Sequence, residues 1–395
     1  MSGLNINALK CDLCLTCVKK CPFEALSQNG ERIEVNAGCK MCGICVRQCP
    51  KGAIRLDVRK KPEVERGNWR DILVFVEGNA HGVHPITFEL IGKALELAGK
   101  IKQDVHCVYI GEGIEKNADE LLYYGLKRIF VYDNSIYRYF SAEPYADAFE
   151  DCIRELRPSI VLVGATAIGR SLAPRLSTRF QTGLTADCTQ LEVKENTDLI
   201  QIRPAFGGNI MARIVTPYTR PQFATVRYKV MDRAKSISCI HGDIERRHVN
   251  NTTPSRLTVL GSVEKHMAEN ISDADVLVAA GRGLKSSKDL SLLEELAHRL
   301  GAQLACSRPL VEAGWMPYTQ QIGLSGRTVK PKLIIACGIS GAVQFTSCMK
   351  AADCIISINS DENAPILKVA HYGIVGDLYE VVPKLCQKLK GGMSV

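Results

Sequence analysis

The sequence predicts an α/β protein in three parts: a small ferredoxin-like two-cluster module, then two nucleotide-binding-type α/β domains with mainly parallel sheets. Three observations lead there. Eight of the 17 cysteines fall within the first 49 residues, in two runs of identical spacing. Beyond Trp69, short apolar segments alternate with amphipathic ones. The length, 395 residues, exceeds what one hydrophobic core usually organises.

The first run is Cys11-x2-Cys14-x2-Cys17-x3-Cys21-Pro22, and the second is Cys39-x2-Cys42-x2-Cys45-x3-Cys49-Pro50. This is the spacing of bacterial two-cluster ferredoxins, complete both times. Three closely spaced thiolates wrap three corners of a cubane, and the cysteine before proline reaches the other cluster. Cys11, Cys14, Cys17 and Cys49 are therefore assigned to one 4Fe-4S cluster, and Cys39, Cys42, Cys45 and Cys21 to the second. Isolated C-x2-C pairs would leave zinc open; the tripled spacing followed by Cys-Pro, twice, points away from it. Loss of one cluster, or a purely structural one, stays open. The repeat extends past the thiols, since CPFEAL at 21–26 matches CPKGAI at 49–54. The module is placed at residues 1–60, with clusters helping to hold a fold of modest apolar content. A linker is placed at 61–69, in a run of mixed charge containing Pro62.

The second part spans 70–250. Strands are expected at 72–76 (ILVFV), 105–110, 128–132 and 160–163, and helices at 85–100, 117–124, 145–156 and 171–180. Apolar strands alternating with amphipathic helices indicate a parallel sheet covered on both faces. The GATAIGR stretch at 164–170 follows a strand and opens a helix, as a phosphate loop would. Without G-x-G-x-x-G, a plain strand-to-helix turn is the favoured reading. The stretch 205–225 reads as strands and turns leaving the sheet, and polar 246–256, with Pro254, as the next boundary.

The third part covers 256–395. A strand at 276–280 runs into Gly281-Arg282-Gly283, another at 303–306 into Ser307-Arg308-Pro309, another at 333–337 into the glycine-rich GISGAVQ loop, and the last, 354–358, into Asn359. A further polar glycine-rich loop is QQIGLSG at 320–326. Ligands of open α/β sheets bind outside the carboxyl ends of strands. Four such ends carrying Arg, Ser, Gln and Asn suit a large ligand with a polar tail, such as a dinucleotide.

Several function classes are excluded. No apolar run approaches a membrane span, and the N-terminus lacks an export signal, so a soluble, cytoplasmic protein is expected. The net charge of +8 is dispersed, which favours no nucleic acid but suits acidic electron-transfer partners. The nine scattered cysteines, from Cys107 to Cys386, read as small core residues. His84, His248, His266 and His371 are isolated, and no nucleophilic or proton-transfer constellation is present, so no catalytic residue is assigned.

GRGLK (281–285), SRPLVEAGW (307–315), QIGLSGRTVKP (321–331), GISGAVQ (338–344) and the segment 357–383 resemble the α subunit of electron-transfer flavoproteins, with similarity from about Trp69 to the end. The resemblance implies one FAD, lined by Arg282, Ser307, Arg308, Gln321, Ile322, Ser325, Ser340, Gln344, Asn359, Asp377 and Leu378. It implies that Arg308 lies near the isoalloxazine ring and that Ser325 hydrogen-bonds the flavin near N5. It also implies a β-subunit partner in a heterodimer. Two positions depart from the family: Phe345 stands where His is usual, and Cys348 where Gly is usual. Phe345 donates no hydrogen bond, so altered one-electron behaviour of the flavin is expected. Cys348 reads as a core residue whose redox use would require exposure.

The fused cysteine module is similar to that of α subunits from anaerobic bacteria engaged in NADH-driven, flavin-based electron bifurcation. By that resemblance, one electron passes to ferredoxin through the clusters and the other through FAD to a flavin-dependent dehydrogenase or reductase. The expectation is an electron-transfer subunit of an oxidoreductase complex. A non-bifurcating carrier between a dehydrogenase and ferredoxin or the respiratory chain is the alternative. A scaffold with vestigial cofactor sites is disfavoured, because every cluster cysteine and flavin loop is retained.

Overall fold

The computed structural model describes residues 3–57, 64–79, 81–205, 210–249, 253, 255, 257–262 and 270–390. Residues 250–252, 254 and 256 of the expected boundary at 246–256, part of the linker (61–63), the 206–209 loop and His266 lie outside the described residues. The chain divides into two compact units, Met1–Val64 and Glu65–Val395.

The first unit runs β1 (Gly3–Ile6), α1 (Thr16–Lys19), β2 (Leu26–Asn29), β3 (Arg32–Val35), α2 (Ile44–Gln48) and β4 (Ile54–Asp57). β1 pairs antiparallel with β4, and β2 with β3. The sequence repeat recurs in the backbone. Left-handed residues occur at Leu13 and Met41, at Leu15 and Gly43, and at Glu24 and Gly52. Four of these, Leu13, Leu15, Glu24 and Met41, carry side chains at positive φ, a conformation that persists only where the surroundings impose it. The core is small: Leu26, Ile33 and Ile54 pack with Cys17 and Cys45.

The second unit begins with β5 (Ile72–Val76), a short antiparallel pair β6 (Gly78–Asn79) and β7 (Gly82–Val83), α3 (Ile86–Ile101), β8 (Val105–Gly111), α4 (Glu115–Leu121) and β9 (Arg128–Asp133). It continues through α5 (Ala142–Leu156), β10 (Ile160–Gly164), α6 (Ala167–Arg179), β11 (Leu184–Cys188), β12 (Gln190–Val193), β13 (Leu199–Ala205), β14 (Ile210–Val215), β15 (Gln222–Val226) and β16 (Asp243–Arg246). Seven strands form a parallel sheet in the order β11-β15-β10-β5-β8-β9-β16. Every residue of β5 is buried because alternate side chains enter two cores: Ile72, Val74 and Val76 meet α3 on one face, and Leu73 and Phe75 meet α5 and α6 on the other. Phe75 stacks on Phe149 at 5.4 Å between ring centres.

The stretch 205–225 only partly leaves this sheet. β12, β13 and β14 build a separate antiparallel sheet, but β15 returns between β11 and β10. Gln222 looks out of place in so buried a strand; its side chain accepts from Leu199 N and donates to the Thr197 carbonyl. Residues 66–68, expected in the linker, form a 3-10 turn, and Arg66 reaches Asp198 (3.7 Å) and the Pro217 carbonyl (3.2 Å). That stretch is thus held against the second unit.

The glycine loop after β10 is a turn. Thr166 caps α6 by accepting from Gly169 N, and its hydroxyl donates to the Glu77 carboxylate. A phosphate there would face that carboxylate. Gly169 is required by packing, because a Cβ would lie 1.9 Å from the Gly164 carbonyl.

The remaining elements are β17 (Val276–Ala280), α7 (Leu290–Leu300), β18 (Gln303–Cys306), α8 (Arg308–Glu312), β19 (Leu333–Cys337), α9 (Val343–Thr346), β20 (Cys354–Asn359), β21 (Tyr372–Val375) and α10 (Leu378–Lys390). Five parallel strands order as β18-β17-β19-β20-β21. The chain leaves β17 toward β18 and returns on its other side at β19, which makes the β17–β19 boundary the topological switch point. Among the described residues no helix is long and apolar enough to cross a membrane.

Two consequences are measurable. Asp198 and Arg220 form a buried ion pair at 2.8 Å, both almost inaccessible to water. Asp198→Ala leaves the guanidinium uncompensated and is expected to cost about 3–5 kcal/mol in chemical denaturation; an unchanged midpoint would contradict this. Burial pushes the Glu89 carboxyl up to about 7, although Lys229 N donates to it. Its contribution to stability is therefore present below the unfolded value of about 4.3 and lost as pH rises through about 7. Wild type should lose more stability than Glu89→Gln between about pH 5 and about pH 8; parallel profiles would refute the assignment.

Candidate functional site

In the first unit the two cysteine runs fold as pseudo-equivalent loops. Cys21, from the first run, lines one cavity with Cys39, Cys42 and Cys45 of the second. Cys11 and Cys14 are close enough to Cys17 for their charges to act on its thiol, and Cys49 packs in the same cluster as Cys11 and Cys17. Ala25 N donates to Cys21 Sγ and Ala53 N to Cys49 Sγ, each at 3.3 Å. Burial pushes the Cys17 and Cys45 thiols up, and the neighbouring thiols of each run add to the shift. Such crowding of thiolates calls for cationic iron between them. Left-handed residues fall between the cysteines of each run, at Leu13 and Leu15 and at Met41 and Gly43, a backbone type found in anion-binding nests. Among the described residues no three His, Cys, Asp or Glu side chains are arranged around a single metal ion. Four thiols, Cys21, Cys39, Cys42 and Cys45, line one cavity instead, a donor set that suits an iron–sulfur cluster.

In the second unit a cavity of about 690 Å³ opens at the carboxyl ends of the five-stranded sheet. This is within the size range of cofactor pockets, about 300–1,000 Å³. Its floor is backbone. Gly281 N donates to the Cys337 carbonyl and Gly283 N to the Gly338 carbonyl, both at 2.9 Å. A Cβ on Gly281 would lie 2.2 Å from the Gly338 carbonyl, and one on Gly283 would lie 2.7 Å from Gly338 Cα. Gly338 itself has φ +63°. These glycines make a cradle in which a ligand can approach the main chain.

Nine of the eleven expected residues line this cavity: Arg282, Ser307, Arg308, Gln321, Ile322, Ser325, Ser340, Gln344 and Asn359. Asp377 and Leu378 line an adjoining cavity of about 140 Å³ that shares Gly283, Gly338 and Asn359 with the first. Asp377 accepts from Tyr379 N at the start of α10, and Leu378 packs against the glycine cradle. Sequence reasoning missed Gly283, Gly323, Leu324, Gly338, Ile339 and Asp361 as lining residues. The glycine loops at 281–283 and 338–344 are read from the sequence as places where backbone approaches a phosphate, without the individual glycines being assigned to the site.

The QIGLSG loop is fixed from several sides. Gln321 Nε2 donates to Ser325 Oγ at 2.8 Å, and Tyr318 donates its hydroxyl to the Ser325 carbonyl. Accepting from Gln321 leaves the Ser325 O–H free to donate into the cavity. Arg227, at the end of β15, donates to the Leu324 carbonyl (3.2 Å) and to Cys348 Sγ (3.6 Å). Cys348 is buried, and burial pushes its thiol up, so it is a core residue. Phe345 is buried and gives the cavity an apolar wall. Arg308 donates from Nε to Glu312 at 2.8 Å.

Of the nine scattered cysteines seven are buried, Cys354 is partly so, and Cys239 is exposed, which corrects the reading of all nine as core. His84 Nδ1 accepts from Ile86 N, and His371 Nδ1 from Ile355 N, which are structural roles.

Three family models match the chain. The electron transfer flavoprotein domain matches residues 72–250, the electron transfer flavoprotein FAD-binding domain 270–350, and the 4Fe-4S dicluster domain 10–54. The lactate dehydrogenase (NAD(+),ferredoxin) subunit LctC of Acetobacterium woodii is 51% identical, over 94% of this chain and 89% of its own length. Electron transfer flavoprotein alpha subunits of Thermoanaerobacterium thermosaccharolyticum and Clostridium acetobutylicum are 40% and 41% identical. They are matched over 98% and 99% of their own lengths but 82% and 83% of this chain.

Gly338→Val tests the cradle. The added side chain meets Gly283 at a strained φ, at a cost of about 1–3 kcal/mol. Flavin bound per chain should fall about tenfold at limiting FAD, with the iron–sulfur absorbance kept. Full flavin content would contradict the assignment.

Proposed function

Because the chain belongs to the electron transfer flavoprotein alpha-subunit family, we propose that it relays electrons between one FAD and two 4Fe-4S clusters in a bifurcating NADH–ferredoxin complex. The observation that carries this reading is the joining, in one chain, of a cysteine module in which Cys21 of the first run lines a cavity with Cys39, Cys42 and Cys45 of the second, to a flavin-type cavity. The LctC relative, whose name includes both NAD(+) and ferredoxin, is similar over 94% of the chain.

When bound, FAD supplies one- and two-electron chemistry, and the clusters supply one-electron steps. The chain's residues hold and tune them. Cys11, Cys14, Cys17 and Cys49 hold one cluster; Cys39, Cys42, Cys45 and Cys21 hold the other. Gly283 and Gly338, lacking side chains, let the dinucleotide approach the main chain, with Ser307, Ser340, Gln344 and Asn359 as polar anchors. Arg282 and Arg308 add positive charge, which favours reduced, anionic flavin. Ser325, oriented by Gln321, donates a hydrogen bond toward the ring system. Phe345 excludes water from its wall without donating. Asp377 and Leu378 shape the adjoining cavity. The partners are an electron transfer flavoprotein beta subunit, a flavin-dependent dehydrogenase or reductase, and ferredoxin, in the cytoplasm.

The test is anaerobic turnover of the chain assembled with its beta subunit and dehydrogenase. NADH should reduce ferredoxin only while the dehydrogenase's acceptor is also reduced. NADH electrons reaching that acceptor with no ferredoxin reduced would establish the non-bifurcating carrier instead.

A further inference from the structure

Ser325 is fixed from both sides. The carbonyl before it, on Leu324, accepts from Arg227 Nη2 at 3.2 Å, and its own carbonyl accepts from the Tyr318 hydroxyl. Its Oγ accepts from Gln321. Among the described residues, every other hydrogen bond to the 321–326 loop comes from within 306–348. Arg227 reaches it from the end of β15, 97 residues away in sequence. The arginine is itself held. Its backbone N–H donates to the Cys188 carbonyl at 3.0 Å, and its side chain is only 13% exposed. Nη2 also meets Asp187 Oδ2 at 3.5 Å, and Nη1 meets Cys348 Sγ at 3.6 Å. Asp187 is shared with Arg170, whose Nε lies 3.0 Å from Oδ1. A planar fork spanning acceptors on three segments has little freedom to turn. Leu324 and Ser325 line the flavin cavity, whereas Arg227 is not among its lining residues.

We propose that Arg227 is a positioning residue for the flavin: by holding the Leu324–Ser325 peptide it aims Ser325 at the ring, and so sets the flavin's midpoint potential from outside the cavity. The inference rests on the FAD reading above and adds a residue that tunes that flavin. A peptide unit is planar, so the carbonyl held by Arg227 turns the Ser325 N–H to the opposite side. That N–H has no partner among the described residues. With Gln321 donating to its Oγ, Ser325 keeps two donors for a ligand, its N–H and its O–H. Hydrogen bonds donated to a ring strengthen as the ring gains negative charge, so they favour the reduced form. Burial of the arginine keeps water from competing for the Leu324 carbonyl on that side.

The test is a spectroelectrochemical titration of the flavin in the full chain saturated with FAD. Wild type is compared with Arg227→Lys, Ser325→Ala and the double variant. Arg227→Lys keeps the charge but loses the planar fork, which separates geometry from charge. At a fixed applied potential the ratio of reduced to oxidised flavin should fall about tenfold in each single variant, a midpoint about 30 mV lower for two electrons. The double variant should fall less than about twofold further, because both changes remove one interaction. If Arg227→Lys does not bind FAD fully, Asp187→Asn, which releases the same guanidinium and leaves the loop untouched, is judged by the same comparison. An unchanged ratio in the arginine variant, or a double variant about a hundredfold below wild type, would overturn the inference while leaving bound FAD standing. An unchanged ratio in Ser325→Ala would remove Ser325 from the ring, and the inference with it. A wild-type chain that takes up no flavin would overturn the FAD reading itself, and this inference with it.

Discussion

The flavin cavity depends on a contact of main chain with main chain. The turn after β17 and the turn after β19 are joined by two hydrogen bonds of 2.9 Å, from Gly281 to Cys337 and from Gly283 to Gly338. At that separation no Cβ fits on any of the three glycines. Strand order places these turns at the switch point, where the crossovers diverge and leave a crevice. The other walls are added to this floor: Ser307 at the end of β18, Asn359 at the end of β20, and the QIGLSG loop, held by Tyr318, Gln321 and Arg227.

A second constraint governs the N-terminal unit. It has a small core, and its backbone holds Leu13, Leu15 and Met41 at positive φ. Such conformations need an external reason, and the grouped thiols of the two runs offer one: iron–sulfur groups would offset both strain and charge. Fold and cofactor are therefore coupled there more tightly than in the second unit, where hydrophobic cores lie on both faces of each sheet.

How much of this was legible in the sequence follows from how each signal arises. The cysteine runs state their chemistry through spacing, and β5, β10, β17 and β19 announce themselves as unbroken apolar runs because both faces are buried, with β8 broken only by His106. β15 is read as leaving the sheet, not rejoining it, because Gln222, buried but satisfied by Leu199 and Thr197, disguises its place in the core. β16, with the sequence DIER, and β21 are edge strands with little burial to pattern them. In the cavity, the polar residues were legible from their places at strand ends. Gly283 and Gly338 contribute by lacking a side chain, and only the distance between the turns reveals that.

The most direct test of the central claim is redox-poised EPR combined with visible spectroscopy on the anaerobically purified complex. The account predicts two interacting 4Fe-4S signals that reduce at low potential, together with a separate flavin in this chain. A single cluster, or clusters reducing well above ferredoxin's potential, would contradict it.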